Sequence, residues 1–194
     1  MGSDKKHHHD SGPTRAVFLD RDGTINHDPG YLSDSSLLKL LPGVGEGLKN
    51  LQDAGMLLVV VSNQSGVGRG LITLEQIVKI HERLDEFLRA YGVKINHYEL
   101  CFHRPEEDCA CRKPKTQLLL NAASRLQIDV SKSFMVGDKA SDVQCGQNAG
   151  CQGSILVLTG EGSKTHDEQS SRPDYVAKDL LAASGWILSQ LDFS

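Results

Sequence analysis

The chain has 194 residues, 39% hydrophobic and 24% charged, a balance that fits one globular domain able to bury a substantial core. Its 21 basic and 25 acidic residues give a formal charge of −4 with no basic tract, which excludes the footprint of a nucleic-acid binder. No apolar run is long enough to span a bilayer. The opening "MGSDKKHHHDSG" carries charge and histidines but no apolar stretch. Residues 1–13 therefore read as a tag or disordered leader ahead of a single domain over 14–194. Five cysteines without a secretory leader point to a reducing, cytoplasmic setting. A monomer is the default expectation.

In chain order, the first expected element is a strand over "RAVFLD", 15–20. Its run Ala16–Leu19 is too continuous for one-faced alternation and predicts burial on both faces of a parallel sheet. "PGVGEGLKNLQDAG", 42–55, predicts a helix that starts at Pro42, stops at Gly55 and turns Val44, Leu48 and Leu51 to one face. Met56–Val61 is the strongest strand signal. Thr73 opens a helix over 73–92, with Gln76 at capping-box spacing and Ile77, Ile80, Leu84, Phe87 and Leu88 at helical spacing. His81, inside that helix, reads as an ordinary packing residue. Helices over 116–128 and 140–149 flank a short strand that ends at Gly137-Asp138, and Gly150 stops the second helix. A strand over 153–158, an exposed loop over 160–173 and a terminal helix over 177–191 complete the chain. This alternation predicts a three-layer α/β/α sandwich around a mainly parallel sheet. Ligands in such sheets bind beyond the carboxyl ends of the strands, where Asp20, Ser62 and Asp138 fall.

Four motifs at that edge carry chemistry. In "DRDGT", 20–24, Asp20 and Asp22 sit two apart after a strand, where a carboxylate can act as nucleophile or metal ligand, and a divalent cation relieves their repulsion. "SNQSG", 62–66, offers the Ser62 hydroxyl and backbone N–H groups suited to phosphoryl oxygens. "RKPK", 112–115, offers Arg112, Lys113 and Lys115, charges suited to phosphate. In "VGDKASD", 136–142, Asp138 can complete an oxygen site for Mg2+. Lys139 adds a charge beside it, and Asp142 can anchor a lysine. A fifth motif, C-x-H-x5-C-x-C, comprises Cys101, His103, Cys109 and Cys111. Three thiolates and an imidazole suit tetrahedral Zn2+ better than iron or a disulfide, and with all four positions filled by protein the site reads as structural. It makes a small zinc-binding loop at 101–111.

Together, D-x-D-G-T, S-N-Q-S-G, C-x-H…C-x-C-R-K-P and V-G-D-K-x-x-D resemble the haloacid-dehalogenase-like (HAD) phosphohydrolase superfamily, over roughly residues 14–190. Within it, the resemblance is to the branch of the D,D-heptose 1,7-bisphosphate phosphatases and histidinol-phosphatases. It implies a Rossmann-like HAD fold without a large cap. It also implies that Asp20 forms an aspartyl-phosphate while Asp22 serves as general acid and then base. Asp20, the backbone carbonyl of Asp22 and Asp138 would hold Mg2+. Ser62 and Lys113 would stabilise the transferring phosphoryl group, with Lys139 adding charge. The sugar site would be lined by Asp28, Pro29, Gly30, Tyr31, Ser62, Asn63, Gln64, Ser65 and Arg112, with Arg69 meeting a distal phosphate. The implied substrate is a small phosphorylated sugar, heptose bisphosphate losing its 7-phosphate. The five residues between His103 and Cys109 match histidinol-phosphatase relatives instead, so histidinol phosphate or another small ester is the alternative. A zinc-stabilised interaction module is the non-enzymatic one.

Overall fold

The apolar runs assemble into one six-stranded sheet in the computed structural model, which describes residues 14–191. The expected leader at 1–13 and the last three residues of the expected domain lie outside the described residues. The elements are β1 (Ala16–Leu19), α1 (Val44–Asp53), β2 (Leu57–Asn63), α2 (Ser65–Gly68), α3 (Leu74–Arg89), β3 (His97–Cys101), α4 (Gln117–Leu126), β4 (Phe134–Gly137), α5 (Ala140–Ala149), β5 (Gly153–Val157), α6 (Gly162–Asp167), β6 (Tyr175–Ala177) and α7 (Leu180–Leu191). The sheet order is β3-β2-β1-β4-β5-β6, and each neighbouring pair is parallel.

Alternation along the strands separates two apolar layers. Val17 and Leu19 of β1 face Leu48, Leu84 and Ile187, contributed by α1, α3 and α7. Ala16 and Phe18 face Leu118, Ala122 and Cys145, contributed by α4 and α5. With both faces covered, β1 must be apolar throughout, which is why its sequence shows no alternation. The chain runs outward from β1 through β2 to β3, then crosses back to β4 on the other side of β1. That reversal opens a crevice beyond the ends of β1 and β4, the usual ligand position in doubly wound sheets. Asp20 N–H donates to the Val136 carbonyl at 3.0 Å and ties the two strand ends together.

The structure adds two strands to the four expected. β3 and β6 are the sheet edges, where a strand has one neighbour and needs less apolar sequence. β3 accordingly carries His97 and Glu99, whose side chains meet at 3.1 Å. β6 is only three residues long and takes Ala177 from the expected terminal helix, which starts at Leu180. The helix expected from Pro42 starts at Val44, because Gly43 precedes it in a left-handed conformation (φ 75°). The expected exposed loop at 160–173 contains α6, whose Thr165 hydroxyl donates to the Asp138 carbonyl at 3.1 Å. Among the described residues, no helix is long and apolar enough to cross a membrane.

Candidate active site

Three acids converge beyond the β1 and β4 ends. Oxygens of Asp20, Asp138 and Asp142 lie within 4.8 Å of one another, all from buried residues. Such crowding requires positive charge, and Lys113 supplies it. Its Nζ reaches Asp20 and Asp142 at 2.7 Å each and donates to the Val61 carbonyl at 2.7 Å. Burial alone would push the Lys113 pKa down. The Asp142 and Asp20 carboxylates outweigh that and hold it above the ordinary lysine value, so the ammonium stays charged. Asp142 also caps α5, accepting from Lys139 N–H at 3.0 Å. Its ion pair with Lys113 makes it the lysine anchor expected from the sequence.

Asp138 is different. Its Oδ2 accepts from Glu161 N–H at 2.8 Å, while its buried Oδ1 has no hydrogen-bond partner among the described residues. Burial, with the Asp20 charge adding to it, pushes its pKa up to about 7. An orphaned carboxylate oxygen beside a second carboxylate fits a hard divalent cation, which takes oxygen donors and offsets both charges. The surrounding glycines permit this approach. A Cβ on Gly23 (φ +85°) or on Gly160 (φ +56°) would fall 2.2 Å from Asp138 Oδ2. Gly23→Ala should therefore cost about 1–2 kcal/mol for the left-handed backbone alone, and more for displacing Asp138. A denaturation midpoint equal to that of the parent protein would contradict this close fit.

Asp22 has a crowded environment of another kind. Arg21 grips its carboxylate through Nε at 3.1 Å and Nη2 at 2.7 Å, and Asn26 and Gln64 donate to it at 2.9 and 2.8 Å. Burial would raise the Asp22 pKa, but the Arg21 charge and these hydrogen bonds hold it below the ordinary aspartate value. Gln64 also donates to Ser62 Oγ at 3.0 Å, which fixes the hydroxyl at the end of β2.

These groups line a cleft of about 360 Å³. Of the residues expected from sequence, Asp20, Asp22, Asp28, Gly30, Tyr31, Ser62, Asn63, Gln64, Ser65, Arg112, Lys113 and Lys139 line it. Asp138 is fully buried, with a carboxylate oxygen within 4.8 Å of those of the lining residues Asp20 and Asp142. Lys139 is held between Asp28 and Glu161, 3.4 Å from each. Arg112 Nη1 is buried and without a hydrogen-bond partner among the described residues, a donor left for a ligand on that wall. Two expected residues stand elsewhere. Pro29 is exposed outside the lining, in a turn where Asp28 Oδ1 accepts from Gly30 N–H at 2.8 Å. Arg69 turns to Glu106 at 3.0 Å and is also outside the lining.

The cysteine motif gathers as its spacing implies. Cys101 Sγ lies 3.0 Å from Cys111 Sγ and 3.6 Å from Cys109 Sγ, and His103 Nδ1 lies 3.3 Å from Cys111 Sγ. The sulfurs are too far apart for a disulfide, which needs about 2.05 Å. They approach the roughly 3.8 Å edge of a tetrahedron built on zinc–sulfur bonds of about 2.3 Å. The clip is joined to the cleft on two sides. Gln64 N–H donates to the Cys101 carbonyl at 2.7 Å and Gly68 N–H to the Phe102 carbonyl at 3.1 Å. Beyond Cys111, Asn63 brackets the Lys113 backbone, accepting its N–H at 3.0 Å and donating to its carbonyl at 3.2 Å.

Known proteins resemble this chain closely. A HAD-hydrolase-like family model matches residues 110–183. The chain is 40% identical over 193 residues to the D-glycero-D-manno-heptose-1,7-bisphosphate 7-phosphatase of Thermosynechococcus vestitus, covering 92% of this chain and 98% of that protein. The chain belongs to the D-glycero-D-manno-heptose-1,7-bisphosphate 7-phosphatase family of the HAD superfamily. A second member of this heptose-bisphosphatase family, from Haemophilus ducreyi, is 41% identical over 174 residues, covering 86% of this chain and 94% of its own. The crystal structure of D,D-heptose 1,7-bisphosphate phosphatase from B. bronchiseptica, complexed with magnesium and phosphate, superposes with a TM-score of 0.83. It is 31% identical and covers 91% of this chain and 99% of that one.

Sequence reasoning passed over several residues of this heptose-bisphosphatase site. Arg21 was only the variable position inside D-x-D, and it is 1% exposed with its guanidinium on Asp22. Asn26, four residues after Asp22, was a readable signal, since the turn at 21–26 brings it back onto that carboxylate. Ser141 and Glu161 line the cleft, but α5 and the β5–α6 connection put them there through tertiary folding.

Proposed function

We propose that the chain hydrolyses the 7-phosphate of D-glycero-D-manno-heptose 1,7-bisphosphate, giving heptose 1-phosphate and inorganic phosphate through an aspartyl-phosphate on Asp20. The observation that carries the chemistry is the buried Lys113 ammonium held 2.7 Å from Asp20, with Asp138 Oδ1 beside it unpartnered among the described residues. The substrate rests on the relatives' activity.

In this reading, the Asp20 carboxylate attacks phosphorus and the sugar oxygen departs with the bridging electron pair. Asp22 gives that oxygen a proton. The Arg21 grip favours ionised Asp22 at rest, and the arriving phosphate dianion raises its pKa and favours proton uptake. Asp22 then takes a proton from the water that attacks the acyl-phosphate, and the Asp20 carboxylate is restored. Ser62 and Lys113 hold the phosphoryl oxygens, so catalysis is largely positioning and electrostatic stabilisation. Asp20, the Asp22 carbonyl and Asp138 would hold Mg2+, which when bound neutralises phosphoryl charge. Arg112 is the donor we assign to the distal end of the substrate, with Asp28, Gly30 and Tyr31 on the sugar. The engagement of Arg69 with Glu106 leaves it a supporting contact for the clip.

Zn2+ in the clip belongs to the same reading, as does a single catalytic unit without a large cap. Through Cys101, Phe102 and Lys113, an ordered clip holds both the 62–66 turn and the catalytic lysine. Stripping zinc with a thiol-reactive mercurial and chelator should cut phosphate release about 10-fold or more, because displacements near 1 Å are costly. The far-UV circular dichroism of the sheet should persist at that stage. Full activity after measured zinc loss, or collapse of the dichroism at the same step, would contradict this coupling.

The substrate test is kcat/KM on heptose 1,7-bisphosphate beside histidinol phosphate, each with Mg2+. The bisphosphate should be preferred by at least about 100-fold, as expected when buried donors such as Arg112 are left unpaired by the other ester. A preference for histidinol phosphate would overturn the assignment.

A further inference from the structure

Arg21 is the largest fully buried residue among the described residues, and only part of its guanidinium is used on Asp22. Its Nη2 also donates to Gln64 Oε1 at 3.2 Å, and its Nη1 lies 3.3 Å from His81 Nε2 on α3. A guanidinium can only donate, so Nε2 is the acceptor and the imidazole is neutral, with its proton on Nδ1. Burial and the Arg21 charge push the His81 pKa down to about 3, consistent with that state. His81 is itself braced. Its ring stacks on Tyr98 of β3, with centroids 4.2 Å apart and planes at 14°. The Tyr98 hydroxyl donates to Asp85 at 2.6 Å, one helical turn beyond His81.

We infer that His81 is a positioning residue for Asp22, acting through Arg21. It touches neither the cleft nor the reacting atoms. Its role is to fix the rotation of the guanidinium, whose two parallel hydrogen bonds then fix the plane of the Asp22 carboxylate. Without the Nε2 acceptor, Nη1 is a buried donor with no partner among the described residues. The guanidinium then turns toward other acceptors and takes the carboxylate with it. The inference rests on the reading of Asp22 as acid and base, and the experiment separates the two.

The measurement is kcat/KM, which reports the steps through phosphoryl transfer to Asp20, for two esters. Heptose bisphosphate has an alkoxide leaving group that needs a proton. p-Nitrophenyl phosphate loses a stabilised phenolate that does not. His81→Asn places no acceptor near Nη1, whereas His81→Gln extends an amide oxygen to the place of Nε2. His81→Asn should lower kcat/KM about 10-fold for the bisphosphate and at most about twofold for the aryl ester. His81→Gln should recover the bisphosphate rate to within about threefold of the parent. Should His81→Asn fail to fold, His81→Phe keeps the stack on Tyr98 without the acceptor and carries the same expectation. Equal losses on both esters, no loss on the bisphosphate, or a Gln variant as impaired as Asn would each overturn the inference. Asp22→Asn is the reference. If it shows the leaving-group split and the His81 variants do not, the inference alone fails. If Asp22→Asn shows no split, the reading of Asp22 fails and the inference with it.

Discussion

Asp20→Asn should abolish Mg2+-dependent phosphate release, by about 10⁴-fold or more, while leaving the protein folded. The size follows from the role. An amide oxygen does not form the acyl-phosphate, so the two-step path closes and only slow direct attack by water remains. The fold should survive because Asn keeps the shape of Asp and can still accept the hydrogen bond from Lys113, now 2.7 Å from Asp20. Removing one charge from the group Asp20, Asp138 and Asp142 also relieves repulsion. A melting temperature within a few degrees of the parent is therefore expected. Phosphate release within about 10-fold of the parent would remove Asp20 as the nucleophile.

Lys113→Met should damage both activity and stability. For activity, loss of the ammonium takes away a preorganised charge at the phosphoryl oxygens, worth about 10²- to 10³-fold in kcat. For stability, Met fills similar volume but leaves Asp142 and Asp20 facing each other without their shared cation. Breaking a buried pair this way costs about 3–5 kcal/mol. Asp142 is 1% exposed, so water does little to offset that loss. A Lys113→Met/Asp142→Leu double variant should recover part of the stability and none of the activity, because it removes the more buried of the two stranded charges without restoring the ammonium. Denaturant unfolding and phosphate release on the same samples check both halves. Recovery of activity in the double variant would show that Lys113 acts only as structural support.

The site edge was legible because β1, β2 and β4 are apolar runs that end abruptly on Asp20, Ser62 and Asp138. Burial on both faces makes such strands continuous in sequence, and a parallel sheet brings their carboxyl ends to one edge. The cysteine clip was legible because its ligands are close in the chain and local spacing limits their geometry. The edge strands were not. In β3, His97, Tyr98 and Glu99 are only half-buried, so the segment lacks the pattern of a strand covered on both faces. β6 is too short to show any period.

The residues that hold the site were the least legible. His81 sits between Ile80 and Leu84 on a helix whose apolar stripe accounts for its neighbours. Nothing local shows that packing α3 against the sheet turns this imidazole onto Arg21. Arg69 and Glu106 show the converse. The family resemblance makes Arg69, just after α2, a distal-phosphate arginine, and the fold sets the Glu106 carboxylate of the clip 3.0 Å from it. Spacing within a motif fixes residue type and local geometry, but the pairing of distant charges depends on which elements the fold sets side by side.

The most direct test of the assigned reaction follows both phosphates of heptose 1,7-bisphosphate by 31P NMR during incubation with the protein and Mg2+. The account predicts loss of the 7-phosphate resonance, growth of inorganic phosphate and a persisting 1-phosphate. Loss of the 1-phosphate instead, or an unchanged bisphosphate with protein that hydrolyses histidinol phosphate, would contradict it.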